Sequence, residues 1–86
     1  MAYNREVICS KILEFIRSEI QDKTVQFDMD TPIDKIKIDS IDVIHVIFKV
    51  EEEFNTSIDL QQDNQYKTVG DFVNALVDFV LVNDKV

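Results

Sequence analysis

Turn-forming residues are almost absent from this chain. Gly70 is the only glycine and Pro32 the only proline among 86 residues. Sandwiches and barrels join many short strands through turns that need these residues, so the composition argues against both. The hydrophobic content of 45% is nevertheless enough to support folding. The chain is therefore predicted to form one small domain, residues 1–86, that is not built from β-strands.

Apolar residues recur at three-to-four spacing in three segments, which is the pattern of amphipathic helices. The first helix is predicted to begin after Asn4, the second after Asp39 and the third after Thr68, each of them an N-cap. Asn55 is a predicted C-terminal cap of the second helix, and a short helical turn is predicted at residues 59–64. We therefore expect an all-α fold, a small four-helix bundle of three main helices and one short one.

Helical periodicity fails between the first and second helices, over residues 21–38. Threonine, aspartate and proline residues in this segment are typical of turns and caps. Val25, Phe27, Ile33 and Ile36 recur irregularly among them. We expect a long loop that these four side chains pin to the core. A loop of this length in a small domain is usually functional.

The second helix carries a serine in its first turn, next to two carboxylates. Ser40 is the predicted first helical residue, between Asp39 and Asp42. The N–H groups and dipole of a helix N-terminus stabilise an attached anion. The only histidine, His45, is five positions along the same helix and turned away from Ser40, and the chain has no Gly-x-Ser-x-Gly elbow. Ser40 is thus either a residue that another enzyme modifies or an ordinary first-turn serine.

The second helix has more apolar residues than a single core-facing stripe requires. An inward stripe is predicted first. It consists of Val43, Val46, Ile47, Val50 and Phe54. A second stripe, Ile41, Ile44 and Phe48, is left over. These three side chains either pack against the long loop or form an exposed contact face beside Ser40.

The acidic loop does not match a metal-binding motif. Asp28-x-Asp30 begins like an EF-hand, but Pro32, Ile33 and Asp39 occupy the fifth, sixth and twelfth positions. The chain also lacks a cysteine–histidine cluster of the kind that binds zinc. No metal site is predicted.

The formal net charge of −8 on 86 residues argues against binding to nucleic acid or to an anionic membrane surface. It favours partners that present basic patches. A single cysteine, the lack of a signal sequence and the lack of an apolar run of about 18 residues lead us to expect a cytoplasmic protein without membrane insertion.

Several segments align with one known family. Residues 39–43 read Asp-Ser-Ile-Asp-Val, and residues 50–54 read Val-Glu-Glu-Glu-Phe. Ile58 follows, and then Thr68 and Val69 at the start of the last helix. This pattern resembles the acyl carrier proteins, whose signature is Asp-Ser-Leu at the second helix followed by an apolar and acidic helix that ends in a Glu-Glu-Phe-like segment. The resemblance covers essentially the whole chain.

The resemblance implies that Ser40 carries 4′-phosphopantetheine, transferred from coenzyme A by a phosphopantetheinyl transferase. The chain would then be a non-enzymatic, monomeric acyl carrier that holds acyl intermediates as thioesters. Its further partners would be synthetases that acylate carriers, ketosynthases or acyltransferase-type enzymes of fatty-acid, lipid or polyketide biosynthesis, with basic docking patches. The implied partner-recognition residues are Asp39, Ile41, Asp42, Ile44, Phe48, Glu51 and Glu52.

Three positions depart from the family pattern. Lys37 stands where the family usually has glycine, His45 stands where many fatty-acid carriers have glutamate, and Lys49 adds a further positive charge to the second helix. These changes interrupt the acidic stripe of the second helix and suggest a specialised carrier with its own partners. The alternatives are a carrier of aminoacyl or peptidyl groups and an unmodified helical interaction module.

Overall fold

A computed structural model describes residues 4–58 and 66–83. In these two stretches the chain forms three α-helices and no strand: α1 (Arg5–Glu19), α2 (Ser40–Phe54) and α3 (Val69–Asn83). The all-α prediction is confirmed. Every helix in the described stretches is too short or too polar to serve as a membrane span.

Three of the four predicted helices lie in the part of the chain that the structure describes. The one additional helical element there is a single 3-10 turn, Ile33–Ile36, in the loop between α1 and α2. Pro32 precedes this turn with an extended backbone, and Lys37 ends it in the left-handed conformation, so it is limited to four residues. The short helix predicted at residues 59–64 lies outside the described residues.

Each α-helix begins at the cap that the sequence predicts. The side chain of Asn4 accepts a hydrogen bond from the first turn of α1. Asp39 accepts from Asp42 N at 2.9 Å, and Asp42 accepts from Asp39 N at 3.1 Å, which completes a capping box at α2. Thr68 Oγ1 accepts from Asp71 N at 3.1 Å at the start of α3. These bonds satisfy N–H groups that a helix start otherwise leaves unpaired.

The core lies between the three helices and contains only hydrophobic side chains among the described residues. Helix α1 packs against both other helices, while the contact between α2 and α3 is the least extensive. The inward stripe of α2 is confirmed in part, since Val43 and Ile47 are only half-buried. The buried residues are Ile8, Ile12, Ile16, Ile20, Ile36, Val46, Val50, Phe54, Val69, Phe72, Val73, Leu76, Val77 and Val80.

The long loop is pinned to the core as predicted. Ile36 is buried, and Val25, Phe27 and Ile33 are half-buried against the core. Helix α1 also holds the loop, since its Arg17 guanidinium donates a hydrogen bond to the carbonyl oxygen of Val25 and lies 5.8 Å from the centre of the Phe27 ring. These contacts fix the first half of the loop along α1.

Backbone hydrogen bonds attach the second half of the loop to the start of α3. Ile33 N donates to the carbonyl oxygen of Lys67 at 2.9 Å, and Val69 N donates to that of Thr31 at 2.9 Å. Gly70 N donates to the carbonyl oxygen of Met29 at 2.8 Å. The loop therefore reaches α2 from a fixed position, which in turn fixes the residues at the start of that helix.

Candidate functional site

Ser40 is the first residue of α2 and is exposed to solvent. Within residues 4–58 and 66–83, its hydroxyl makes no hydrogen bond, and the N–H groups of Ser40 and Ile41 have no acceptor. The next N–H group, that of Asp42, is already bonded to Asp39. A free hydroxyl thus lies beside two free donors at the positive end of a helix, where an anion is stabilised.

Ser40 has no hydrogen-bonded base among the described residues. The only imidazole of the chain, that of His45, has its Nδ1 3.1 Å from Glu19 Oε1 on α1. A nucleophilic serine needs a base within hydrogen-bond distance of its oxygen. The geometry therefore fits a serine that receives a group, as the sequence suggests, better than a serine that attacks a substrate.

Two carboxylates flank Ser40 and also hold the helix start. Asp39 is exposed and Asp42 is half-buried. The capping box uses Oδ1 of Asp39 and Oδ2 of Asp42, which leaves the second oxygen of each without a bond to any described residue. These two residues therefore fix the backbone at Ser40 and at the same time make its surroundings negative.

The second apolar stripe of α2 is exposed to solvent. Ile41 is 60% exposed, Ile44 45% and Phe48 57%. Their spacing of three and four positions places them on one side of the helix, and Val46 and Val50 are fully buried on the other side. Of the two alternatives, packing against the loop is wrong, and an exposed apolar face beside Ser40 is what the structure shows.

The two glutamates predicted to take part in recognition have different surroundings. Glu52 is exposed, whereas Glu51 is half-buried. Oε2 of Glu51 accepts a hydrogen bond from Ile58 N at 2.8 Å, and its carbonyl oxygen accepts from Asn55 N and Thr56 N. Glu51 therefore anchors the segment that leaves α2. The sequence did not indicate this structural use, and recognition by Glu51 stays a prediction.

Lys49 does not interrupt the acidic stripe in the way that the sequence suggests. Its Nζ lies 2.9 Å from Glu19 Oε2 and donates to Ser18 Oγ at 2.7 Å, so its charge is paired across the seam with α1. His45 is exposed, and its ring also contacts Glu19. The hydrogen bond from Lys49 is the main cause that holds the pKa of Glu19 below its usual value; burial opposes this, and His45 adds to it.

Glu19 belongs to this site but was not identified from the sequence. It is the last residue of α1, 26 positions before His45 and 30 before Lys49. No local pattern links positions so far apart, because the link is made by the packing of α1 on α2. Only a prediction of which faces of the two helices meet could have revealed it.

Comparison with known proteins identifies the family. The family described as "Phosphopantetheine attachment site" matches residues 10–76. The acyl carrier protein of Borrelia garinii subsp. bavariensis is 28% identical over 74 residues, which cover 85% of this chain and 92% of the relative. That of Streptococcus pyogenes serotype M1 is 32% identical over 66 residues, which cover 77% and 86%. No solved structure matches the chain significantly. The chain belongs to the acyl carrier protein family, and its cofactor is covalently attached 4′-phosphopantetheine.

Proposed function

We propose that Ser40 is the attachment point of 4′-phosphopantetheine and that the chain carries acyl groups between enzymes without catalysing a reaction itself. The observation that carries this proposal is the exposed, unbonded Ser40 hydroxyl at the start of α2, inside the region that the family matches. When attached, the cofactor supplies a terminal thiol that holds the acyl group as a thioester.

The residues around Ser40 suit an attached phosphodiester. The free N–H groups of Ser40 and Ile41 are donors for its oxygens, and the dipole of α2 favours its negative charge. The capping box of Asp39 and Asp42 holds the first turn, so the hydroxyl is presented at a fixed place. The serine therefore needs no rearrangement of the helix before it is modified.

We infer that the exposed side of α2 is the docking surface for partner enzymes. The apolar side chains supply contact area, and the carboxylates steer partners that carry basic patches. The first such partner is a phosphopantetheinyl transferase. Later ones are synthetases that acylate the carrier, ketosynthases or acyltransferase-type enzymes. The docking residues in this proposal are Asp39, Ile41, Asp42, Ile44, Phe48, Glu51 and Glu52.

We assign the carrier to the acyl class, in fatty-acid, lipid or polyketide biosynthesis in the cytoplasm. Two observations support this class over aminoacyl and peptidyl carriers: the relatives are named acyl carrier proteins, and an acidic run, residues 51–53, follows the docking side of α2. A monomer is expected, because self-association through α2 would cover the docking surface.

The direct test is co-expression of the chain with a promiscuous phosphopantetheinyl transferase, followed by intact-mass measurement. The wild-type chain is expected to gain the mass of one phosphopantetheine arm, and Ser40→Ala to gain nothing. Ser10→Ala is the matched control, since Ser10 is an exposed serine in the first helix, and it should be modified like wild type. An unmodified wild-type chain, or a modified Ser40→Ala variant, contradicts the proposal.

A further inference from the structure

Three side chains with metal-ligating atoms meet where the end of α1 lies against the start of α2. Glu19 is the last residue of α1, and Asp42 and His45 stand three positions apart in α2. One ligand atom from each residue lies within 4.8 Å of the other two. Residues three positions apart in a helix lie on the same side, so Asp42 and His45 both reach the seam with α1.

The spacing of these atoms suits a single transition-metal ion. Zn–N and Zn–O bonds measure about 2.0–2.2 Å, so two ligand atoms on one ion lie roughly 3–4 Å apart. His45 Nδ1 and Glu19 Oε1 are already 3.1 Å apart. Asp42 can contribute Oδ1, the oxygen that the capping box leaves unbonded, and the three ligand atoms lie within 4.8 Å of one another before any ion is bound.

The chemistry of the three groups selects the class of ion. An imidazole beside two carboxylates suits zinc and its neighbours in the transition series, whereas magnesium and calcium prefer ligand sets of oxygen alone. The Glu19 side chain is 13% exposed and that of His45 is 53% exposed, so solvent reaches the seam from the side of His45. Two carboxylates also balance the two charges of the ion.

Among the described residues, Lys49 is the one lysine or arginine that contacts this group. Its Nζ is 2.9 Å from Glu19 Oε2, which is not the oxygen that faces His45. Lys49 therefore does not occupy Oε1, the oxygen that faces His45, but it repels an ion bound there electrostatically. Its removal should strengthen binding, which gives the site a distinctive signature.

We propose that Glu19, Asp42 and His45 bind one divalent transition-metal ion of the zinc class, which joins the end of α1 to the first two turns of α2. This site does not depend on the modification of Ser40. An ion there would neutralise Asp42, one of the carboxylates next to Ser40. The sequence alone did not reveal the site, because the fold supplies Glu19 from a different helix.

The test is a titration of tag-free, EDTA-treated protein with Zn²⁺, followed by isothermal titration calorimetry. One equivalent is expected to bind, and His45→Gln and Glu19→Gln should each weaken binding by at least about tenfold. Lys49→Gln should strengthen it by roughly three- to tenfold. Glu53→Gln is the matched control, since it removes the same charge from an exposed position of α2, and it should change the affinity by less than about twofold.

A spectroscopic readout covers the case in which a variant is poorly folded. His45 is the only histidine, so its imidazole signals in the NMR spectrum of the wild-type chain are unambiguous. Stoichiometric Zn²⁺ should shift them, and Cys9→Ser should leave that shift unchanged. Imidazole signals that do not respond to Zn²⁺, or equal Zn²⁺ affinity of His45→Gln and wild type, overturn the proposal.

Discussion

Lys37 has a left-handed backbone (φ 55°, ψ 43°) two residues before the N-cap of α2. An L-residue in this conformation costs about 1–2 kcal/mol, because its Cβ crowds the following carbonyl oxygen. Glycine avoids this cost, and glycine is the residue that the acyl carrier pattern described above usually has at this position. The resemblance to the family indicates the departure, but only the structure shows that Lys37 carries a conformational cost as well as a charge.

Replacement of Lys37 by glycine should therefore stabilise the fold. We expect Lys37→Gly to raise the free energy of unfolding by about 0.5–1 kcal/mol, once the greater entropy of glycine in the unfolded chain is deducted. Lys35→Gly is the matched control, since Lys35 lies within the 3-10 turn, and it should lower that free energy. Urea denaturation measures both. A loss of stability in Lys37→Gly would show that the left-handed backbone is not strained.

The ion pair between Glu19 and Lys49 makes a testable link between pH and stability. Because the folded pKa of Glu19 is lowered from 4.5, mainly by the Lys49 hydrogen bond, the unfolded chain binds a proton more readily. The pair thus stabilises the fold fully above pH 4.5, and this contribution is lost as the pH falls through the lower, folded pKa. Lys49→Gln should raise the Glu19 pKa, as measured by carboxyl NMR titration in metal-free buffer.

A control variant separates the effect of the Glu19–Lys49 pair from the effect of removing a charge elsewhere on α2. Glu53 is exposed on α2, and Glu53→Gln should leave the Glu19 titration unchanged. Denaturation curves at several pH values below 5 should show a smaller loss of stability on acidification in Lys49→Gln than in wild type. A Glu19 pKa that is the same in wild type and Lys49→Gln would rule out the pairing.

At the scale of the elements, the sequence reveals contacts between residues that are close in the chain, but not the packing of segments that are far apart in it. The caps Asn4, Asp39 and Thr68 were predicted because each bonds to a residue three positions away. The docking of Met29 and Thr31 on the start of α3 was not predicted, because it joins segments about 40 residues apart. Glu19 was not predicted as a partner of His45 and Lys49 because these residues are also far apart in the sequence. The 3-10 turn was not predicted because a single turn has too few residues to show a periodic pattern.

Substitution of Gly70 by alanine tests the docking of the loop on α3. An alanine Cβ at this position would lie 2.8 Å from the carbonyl oxygen of Met29, which is backbone and cannot simply turn away. Alanine favours a helix over glycine by about 1 kcal/mol, but overpacking costs typically 1–3 kcal/mol, and we expect the clash to dominate. Gly70→Ala should therefore lower the free energy of unfolding by about 1–2 kcal/mol in urea denaturation.

Ser10→Ala provides the comparison for Gly70→Ala, since Ser10 is exposed on α1 and its change to alanine should alter stability by less than about 0.5 kcal/mol. If Gly70→Ala were as stable as wild type or more so, the close approach of the loop to α3 would be wrong.

At the scale of the whole molecule, a net charge of −8 and an exposed apolar side of α2 occur together. Most of the apolar side chains of α2 serve stability, whereas Ile41, Ile44 and Phe48 contribute little to the core because they are about half exposed or more. Substitutions on this side should thus separate partner binding from folding. A substitution that weakens partner binding without lowering the free energy of unfolding indicates a docking surface, whereas one that lowers the free energy of unfolding indicates part of the core.

We expect Phe48→Ala to lower kcat/KM for modification by a phosphopantetheinyl transferase by about fivefold or more, as at other interface anchors. Its free energy of unfolding should change by less than about 0.5 kcal/mol. Val46→Ala, on the buried side of α2, should instead cost about 1–3 kcal/mol of stability and leave kcat/KM nearly unchanged at a temperature where it is folded. Equal transferase kinetics for Phe48→Ala and wild type would contradict docking through this side.

The attachment of the cofactor to one particular serine is tested most directly by peptide mapping of the modified wild-type chain with tandem mass spectrometry. The chain has four serines, at positions 10, 18, 40 and 57, so the unmodified three serve as internal controls. We predict that the phosphopantetheine mass is found only on the peptide that contains Ser40 and that fragment ions place it on that residue. Its presence on any other residue, with Ser40 unmodified, would contradict the account.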